Sequence, residues 1–152
     1  MIVRCIANTG KALRAFEPNE LPDDYTGKFG TTAHTIFHQL DIGKEYLVTA
    51  MIFWHQDVVQ YLLYGHTETW ILPAPAPLFT IMEAKLSRNW YFKQYEPGHR
   101  LYKSFLGVMG YKELITDDNH LESLLEREHE AEQIFYKRVI EMEREFQKHD
   151  LA

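Results

Sequence analysis

Apolar and polar positions alternate over much of the first two thirds of the chain, then change to a spacing of three to four in the last third. Strands followed by a helix are the expected elements. Met1 to Asn8 reads as a strand, with Ile2 and Ile6 alternating against Val3, Cys5 and Ala7, and Asn8-Thr9-Gly10 ends it. From Lys11 to Gly30 the period disappears among Pro18, Pro22, Asp23, Asp24, Gly27 and Gly30, so residues 11–30 are expected to form a loop insertion. Thr31 to Leu40 alternates again and is expected to be a strand. Glu45 to Trp54 is long, β-branched and aromatic, the strongest strand signal, and should lie centrally in a sheet. Short turns at 55–57 and 65–68 separate it from Val58–Tyr64 and Thr69–Leu72, the spacing of consecutive antiparallel hairpins. Pro73, Pro75 and Pro77 argue for an extended or single-turn connection in place of a ladder. Strand character resumes over Leu78–Leu86 and Trp90–Tyr95. Leu101–Leu106 and Val108–Ile115 are apolar but interrupted by Gly107 and Gly110, and their element type stays open.

The C-terminal pattern is simpler. Asp117, Asp118 and Asn119 supply helix-capping side chains, Glu122 stands three residues after Asn119 as in a capping box, and no Gly or Pro follows. One long helix over 117–150 is expected. Its apolar stripe is Leu121, Leu124, Leu125, Ala131, Phe135, Val139, Met142 and Phe146, with Glu126, Glu130, Lys137, Glu141, Arg144 and Lys148 on the solvent side. Together these elements predict a single α+β domain over 1–152: an antiparallel β core over 1–95, a connecting segment over 96–116 and the helix packed on the sheet.

Composition narrows the class. With 45% hydrophobic and 25% charged residues the 152-residue chain has the make-up of a globular domain. Its longest apolar run, Ala50 to Trp54, is far short of the roughly 20 residues of a membrane-spanning helix, and the N-terminus lacks a signal-peptide core. A single cysteine, Cys5, excludes an internal disulfide and every four-cysteine zinc site; a cytoplasmic location without membrane attachment is the expectation. The formal charge of −6 is unevenly placed: residues 1–116 hold 11 basic and 11 acidic side chains, the last 36 residues five and eleven. A negative surface repels phosphate backbones and attracts basic proteins, so nucleic acid is disfavoured as a partner and a basic protein favoured.

Catalytic signatures are missing. No nucleophile-elbow, phosphate-loop or dinucleotide-binding pattern occurs, and the only serines are Ser87, Ser104 and Ser123. Cys5 occupies an apolar strand position, where a thiol is usually buried and inert. His34 and His38 have the four-residue spacing that many zinc sites use on helices, but on a strand they stand too far apart to chelate one ion unaided. Glu128 and Glu132 lie one helical turn apart on the side of the apolar stripe, a polar gap that could pair with sheet cations, hold a cation or receive a partner's basic residues. A metal-dependent protein or enzyme using His34 and His38 with Glu128 or Glu132 is therefore one alternative. Phe53, Trp54, Tyr61, Tyr64, Phe79, Trp90, Phe92, Phe105 and Phe135 are expected to fill the core, leaving Trp70, Tyr91, Tyr95 and Tyr25 as exposed rings of the kind that anchor protein interfaces.

The segments "LDIGKEYLV", "VVQYLLYG" and "WILPAPAPLFTIME" carry a resemblance. Gly43, Lys44, Glu45, Tyr46 and Val48, then Tyr61 and Leu63, then Pro77, Leu78, Phe79 and Ile81 resemble the strand cadence of small bacterial and phage proteins with an SH3-like barrel. That resemblance covers about half the chain and implies an SH3-like antiparallel barrel or strongly bent sheet. Residues 84–152, with "LSRNWYF", "GYKEL" and the acidic helix, look like longer members of an uncharacterised bacterial family associated with toxin-immunity gene neighbourhoods. This implies an immunity protein that neutralises a cognate toxin, expected to be basic, by occluding its active or substrate-binding surface. The expectation is thus a non-enzymatic protein binder without cofactor, catalytic residue or metal site, its candidate partner-binding residues being Glu126, Glu128, Glu130, Glu132, Trp70, Tyr91 and Tyr95. A nucleic-acid-binding phage or plasmid accessory module is the remaining alternative.

Overall fold

The computed structural model describes residues 1–150, with side chains to Gln147, so Lys148, expected on the solvent face, lies outside the described side chains. The fold is α+β, with two antiparallel sheets and a C-terminal helical segment. Strands β1 (Ile2–Cys5), β2 (Glu45–Leu47) and β6 (Phe79–Glu83) form a three-stranded sheet in the order β2-β1-β6. Strands β3 (Ala50–Trp54), β4 (Val59–Tyr64), β5 (Ile71–Pro75), β7 (Tyr91–Gln94) and β8 (Phe105–Gly110) form a five-stranded sheet in the order β5-β4-β3-β8-β7. Both orders are linear, with no closed barrel among the described residues.

The long strand expected over Glu45–Trp54 bends at Val48–Thr49, so its halves β2 and β3 belong to different sheets. Thr49 is fully buried; its N–H and its hydroxyl both donate to the Leu62 carbonyl, at 3.0 and 2.7 Å. The second half is central, as expected. The prolines do not forbid a ladder: β5 pairs with β4 from Tyr64↔Ile71 to Gln60↔Pro75. The bond from Gly65 N–H to Trp70 O sets the alternation, which places Pro73 and Pro75 where their missing N–H groups would point away from β4.

Residues 31–40 form turns, not a strand, apart from one bridge between Thr9 and Ile36. Local bonds compete with a ladder here: Thr32 Oγ1 accepts from His34 N–H, Thr35 Oγ1 from Thr32 N–H, and Leu40 N–H donates to Phe37 O. The 11–30 insertion opens with a helical turn, α1 (Gly10–Leu13), capped by Thr9 Oγ1, and a 3-10 turn at Arg14–Phe16. Arg14 then binds the carbonyls of Pro22, Asp23 and Tyr25, gathering the rest of the loop.

The segment left open over 101–115 becomes a 3-10 turn at Arg100–Lys103, β8, and α2 (Lys112–Thr116). Gly110 is required there, because a Cβ would stand 2.8 Å from both Ala50 Cβ and Leu114 Cδ1. The single long helix is in fact two, α3 (His120–Leu125) and α4 (His129–Asp150). Arg127, at φ 63, ends α3 in the left-handed conformation usually taken by Gly. Arg127 N–H bonds Leu124 O and Glu128 N–H bonds Ser123 O, so the last carbonyls are satisfied without a glycine to signal the stop. The capping box does not form: Asn119 makes no side-chain cap, and its Oδ1 accepts from Arg100 instead.

The five-stranded sheet lies between two apolar clusters. Ala50, Ile52, Leu62 and Val108 face Leu121, Leu124, Ala131, Phe135, Val139 and Met142 of the helices, so the predicted stripe does pack on the sheet. On the other side Tyr61 and Leu63 join Val3, Cys5, Leu13, Leu40, Val48 and Leu78. Leu125 leaves the stripe at 42% exposed because the helix ends beside it. Phe135→Ala should cost about 3–5 kcal/mol in urea unfolding, whereas Ile140→Ala, on the exposed side of the same helix, should stay within about 0.5 kcal/mol.

Candidate functional site

A cleft of about 420 Å³ opens between β3, the Arg100–Lys103 turn and α3. Ile52, Trp54, Leu101, Phe105, Leu121 and Leu125 give it an apolar lining, and Arg100, Asp118, Glu122 and Glu126 give it a charged one. Trp54 is held by Nε1 donating to Gln60 Oε1 at 2.7 Å and by an edge-on contact with Phe105 at 5.1 Å. Phe105 packs in turn on Tyr95.

The opposing wall is fixed by a polar chain. Leu101 N–H donates to His99 Nδ1 at 3.0 Å, which leaves the proton of a neutral His99 on Nε2, 2.9 Å from Asp118 Oδ2. Asp118 Oδ1 accepts from Lys93 Nζ at 2.8 Å. Arg100 reaches Asp118 O at 3.1 Å and Asn119 Oδ1 at 2.8 Å, and stands 3.8 Å from Glu122. The Lys93 hydrogen bond, reinforced by His99, holds the Asp118 carboxyl below its ordinary range despite partial desolvation. Glu122 is 61% exposed, and the Glu126 carboxylate has no hydrogen-bond or ion-pair partner among the described residues. The cleft thus offers a greasy floor beside carboxylates that remain hydrated.

The expected partner-binding residues divide. Glu126 is on the rim, and exposed Glu128 and Glu130 follow it at the α3–α4 joint. Glu128 and Glu132 are not a free pair on a continuous stripe, because the helix breaks between Leu125 and His129 and Glu132 bonds Arg127. Arg127 also donates to Thr69 O at 2.7 Å, tying the joint to the β4–β5 turn. Tyr95 is a correction: at 3% exposed it belongs to the core, its ring in tilted contact with His99 and Phe105. Trp70 is half-buried and leans on Gly65, where a Cβ would meet its Nε1 at 2.2 Å, so it supports the second core more than it anchors a partner. Tyr91 is exposed as expected but sits on β7, at the opposite side of the sheet from β5. Phe92, expected in the core, is 54% exposed on the same edge strand, since the three-stranded sheet does not extend to cover it.

His34 bonds Asp24 on the surface, His38 is exposed in a turn, and Glu132 is engaged with Arg127. Among the described residues no group of three or more His, Cys, Asp or Glu side chains could hold a metal ion. Cys5 is buried, bonded to Ala7 O, and burial raises its thiol pKa. No described helix is long and apolar enough to cross a membrane. Trp54, His99, Arg100, Leu101 and Glu122 carry no sequence signal as a site; Trp54 reads as core and Glu122 as a capping residue until the fold brings 54, 100 and 122 together.

No family model, curated protein or solved structure matches the chain.

A carboxyl depressed in the folded state contributes stability above its unfolded pKa and loses it as pH falls through the folded value. Asp118 and Glu113, the latter held low by its hydrogen bonds to Arg138, are such groups. Unfolding free energy should therefore decline below about pH 4, and Asp118→Asn should make that acid limb shallower in urea titrations while leaving the Glu113 part intact.

Proposed function

We propose that the chain is a non-enzymatic protein-binding inhibitor whose cleft receives a bulky apolar side chain of a partner, with that partner's Lys or Arg residues meeting Glu122 and Glu126. The observation that carries this reading is the apolar cleft floored by Trp54, Leu101 and Leu121 and edged by exposed carboxylates. A buried apolar anchor inside a charged rim is the usual division of labour in a protein interface: the anchor supplies affinity and the rim supplies steering and choice of partner. The acid-rich C-terminal segment extends the negative field beyond the cleft.

Its most concrete form is a cytoplasmic bacterial immunity protein that occludes the active or substrate-binding surface of a basic toxin domain. Support for the immunity part is the resemblance of residues 84–152 to proteins of toxin-immunity neighbourhoods. The same proposal includes an SH3-like core. In its favour, β1 pairs with both β2 and β6, the β2–β3 strand passes from one sheet into the other, and a 3-10 turn at Ala76–Leu78 separates β5 from β6.

Co-expression with the toxin-like product of the adjacent reading frame should protect the host and yield a complex on co-purification. Glu122→Lys with Glu126→Lys should weaken that complex about tenfold, mainly through slower association, and Leu125→Asp should weaken it further by putting a charge at the apolar mouth of the cleft. Glu128→Gln with Glu132→Gln separates the rim from the α3–α4 joint: unchanged affinity removes these two residues from the site. Absence of both protection and complex formation would sink the reading.

A further inference from the structure

The five-stranded sheet ends in two unlike edges. At β5 the residues whose N–H groups would face outward include Pro73 and Pro75, which have none, so that edge offers an incoming strand few donors. At β7 the bond from Tyr95 N–H to Leu106 O, with Lys93 opposite Val108, sets the alternation so that Phe92 and Gln94 turn both N–H and C=O away from β8. Both residues are exposed, and β7 is the last strand in the sheet. The segment that carries this edge is basic. Residues 84–112 hold six basic side chains and one acidic, Glu96. Of the six, Lys103, just before β8, and Lys112, just after it, are exposed and make no side-chain hydrogen bond or ion pair among the described residues.

We propose that β7 is a strand-addition edge that takes an extended acidic segment of another protein. The backbone of that segment would pair with Phe92 and Gln94, and its carboxylates would meet Lys103 and Lys112 at the two ends of β8. A second copy is disfavoured as the occupant on both counts: its acid-rich stretch is wound into α4, and pairing through its own β7 would bring like-charged lysines from the ends of β8 together. Free backbone donors and acceptors in alternation suit a peptide and not a nucleic acid, which has no matching ladder. No β7 residue, and neither Lys103 nor Lys112, lines the cleft, and the charge is of opposite sign, so the proposal stands or falls independently of the inhibitor reading.

The test uses the whole protein and a fluorescein-labelled heptapeptide of alternating Glu and Val, with an alternating Lys-Val heptapeptide and an oligothymidylate as controls. Fluorescence polarisation should show saturable binding of the Glu-Val peptide, at least about tenfold tighter than the Lys-Val peptide. Gln94→Pro removes an outward N–H without touching the β7–β8 ladder, so it should abolish binding while leaving the urea midpoint in place. Should that variant unfold, Lys103→Glu with Lys112→Glu, both exposed, should lower affinity about tenfold in folded protein. Equal binding of the two peptides, tighter binding of the oligothymidylate, or unchanged affinity in both the proline and the charge variants would overturn the proposal, as would a dimer in light scattering that Gln94→Pro dissolves.

Discussion

The corner at Thr49 governs the architecture. One carbonyl, that of Leu62, takes both the N–H and the hydroxyl of a fully buried threonine, so a residue that leaves the regular ladder brings no unsatisfied polar group into the core. Because the strand turns there, β2 can pair with β1 while β3 stays in the centre of the larger sheet. The larger sheet is then apolar on two sides, with Ile52 and Leu62 toward the helices and Tyr61 and Leu63 toward the smaller sheet. Neither cluster would close without that division.

The second constraint is the break between α3 and α4. A continuous helix would have carried Leu125 on its buried stripe; the left-handed Arg127 instead stops α3 after six residues and leaves Leu125 at the cleft mouth. The left-handed conformation costs a non-glycine residue about 1–2 kcal/mol. Contacts from its guanidinium to Thr69 O and Glu132 offset that strain and bind the joint to the sheet. The same break leaves Glu126 on the cleft rim and Glu128 and Glu130 exposed at the α3–α4 joint, and not along one helical face.

Charge follows a similar logic. A balanced total over residues 1–116 hides a basic stretch at 84–112, which lies against the acidic C-terminal segment through Lys93–Asp118 and Arg100–Glu122, while Arg138 reaches back to Glu113. These contacts neutralise the seam. What is left over is a negative rim at the cleft and, at the two ends of β8, lysines with no side-chain partner among the described residues, two features of opposite sign that no whole-chain net charge reveals.

Much of the fold was legible because burial imposes a period: the extended residues of 45–54, though not the corner within them, the strands at 59–64, 79–83 and 91–94, and the apolar stripe from Ala131 to Phe146 follow from alternation and from three-to-four spacing. Local chemistry overrode that signal where side chains could take over backbone bonds. The threonines of 31–40 made turns from an alternating pattern, Arg127 stopped a helix with no glycine, and Asn119 gave its capping oxygen to Arg100. Positions such as Pro73 and Pro75 are readable only once the neighbouring strand is known, since a missing N–H matters or not according to which way it points. The cleft is the extreme case. Trp54, Arg100 and Glu122 are distant in sequence and ordinary one by one, and periodicity records how strongly each position is buried, not which positions meet. Residue order therefore decided the elements and the sign of the C-terminal charge, whereas the strand corner, the helix break and the long-range pairing decided which side chains share a surface.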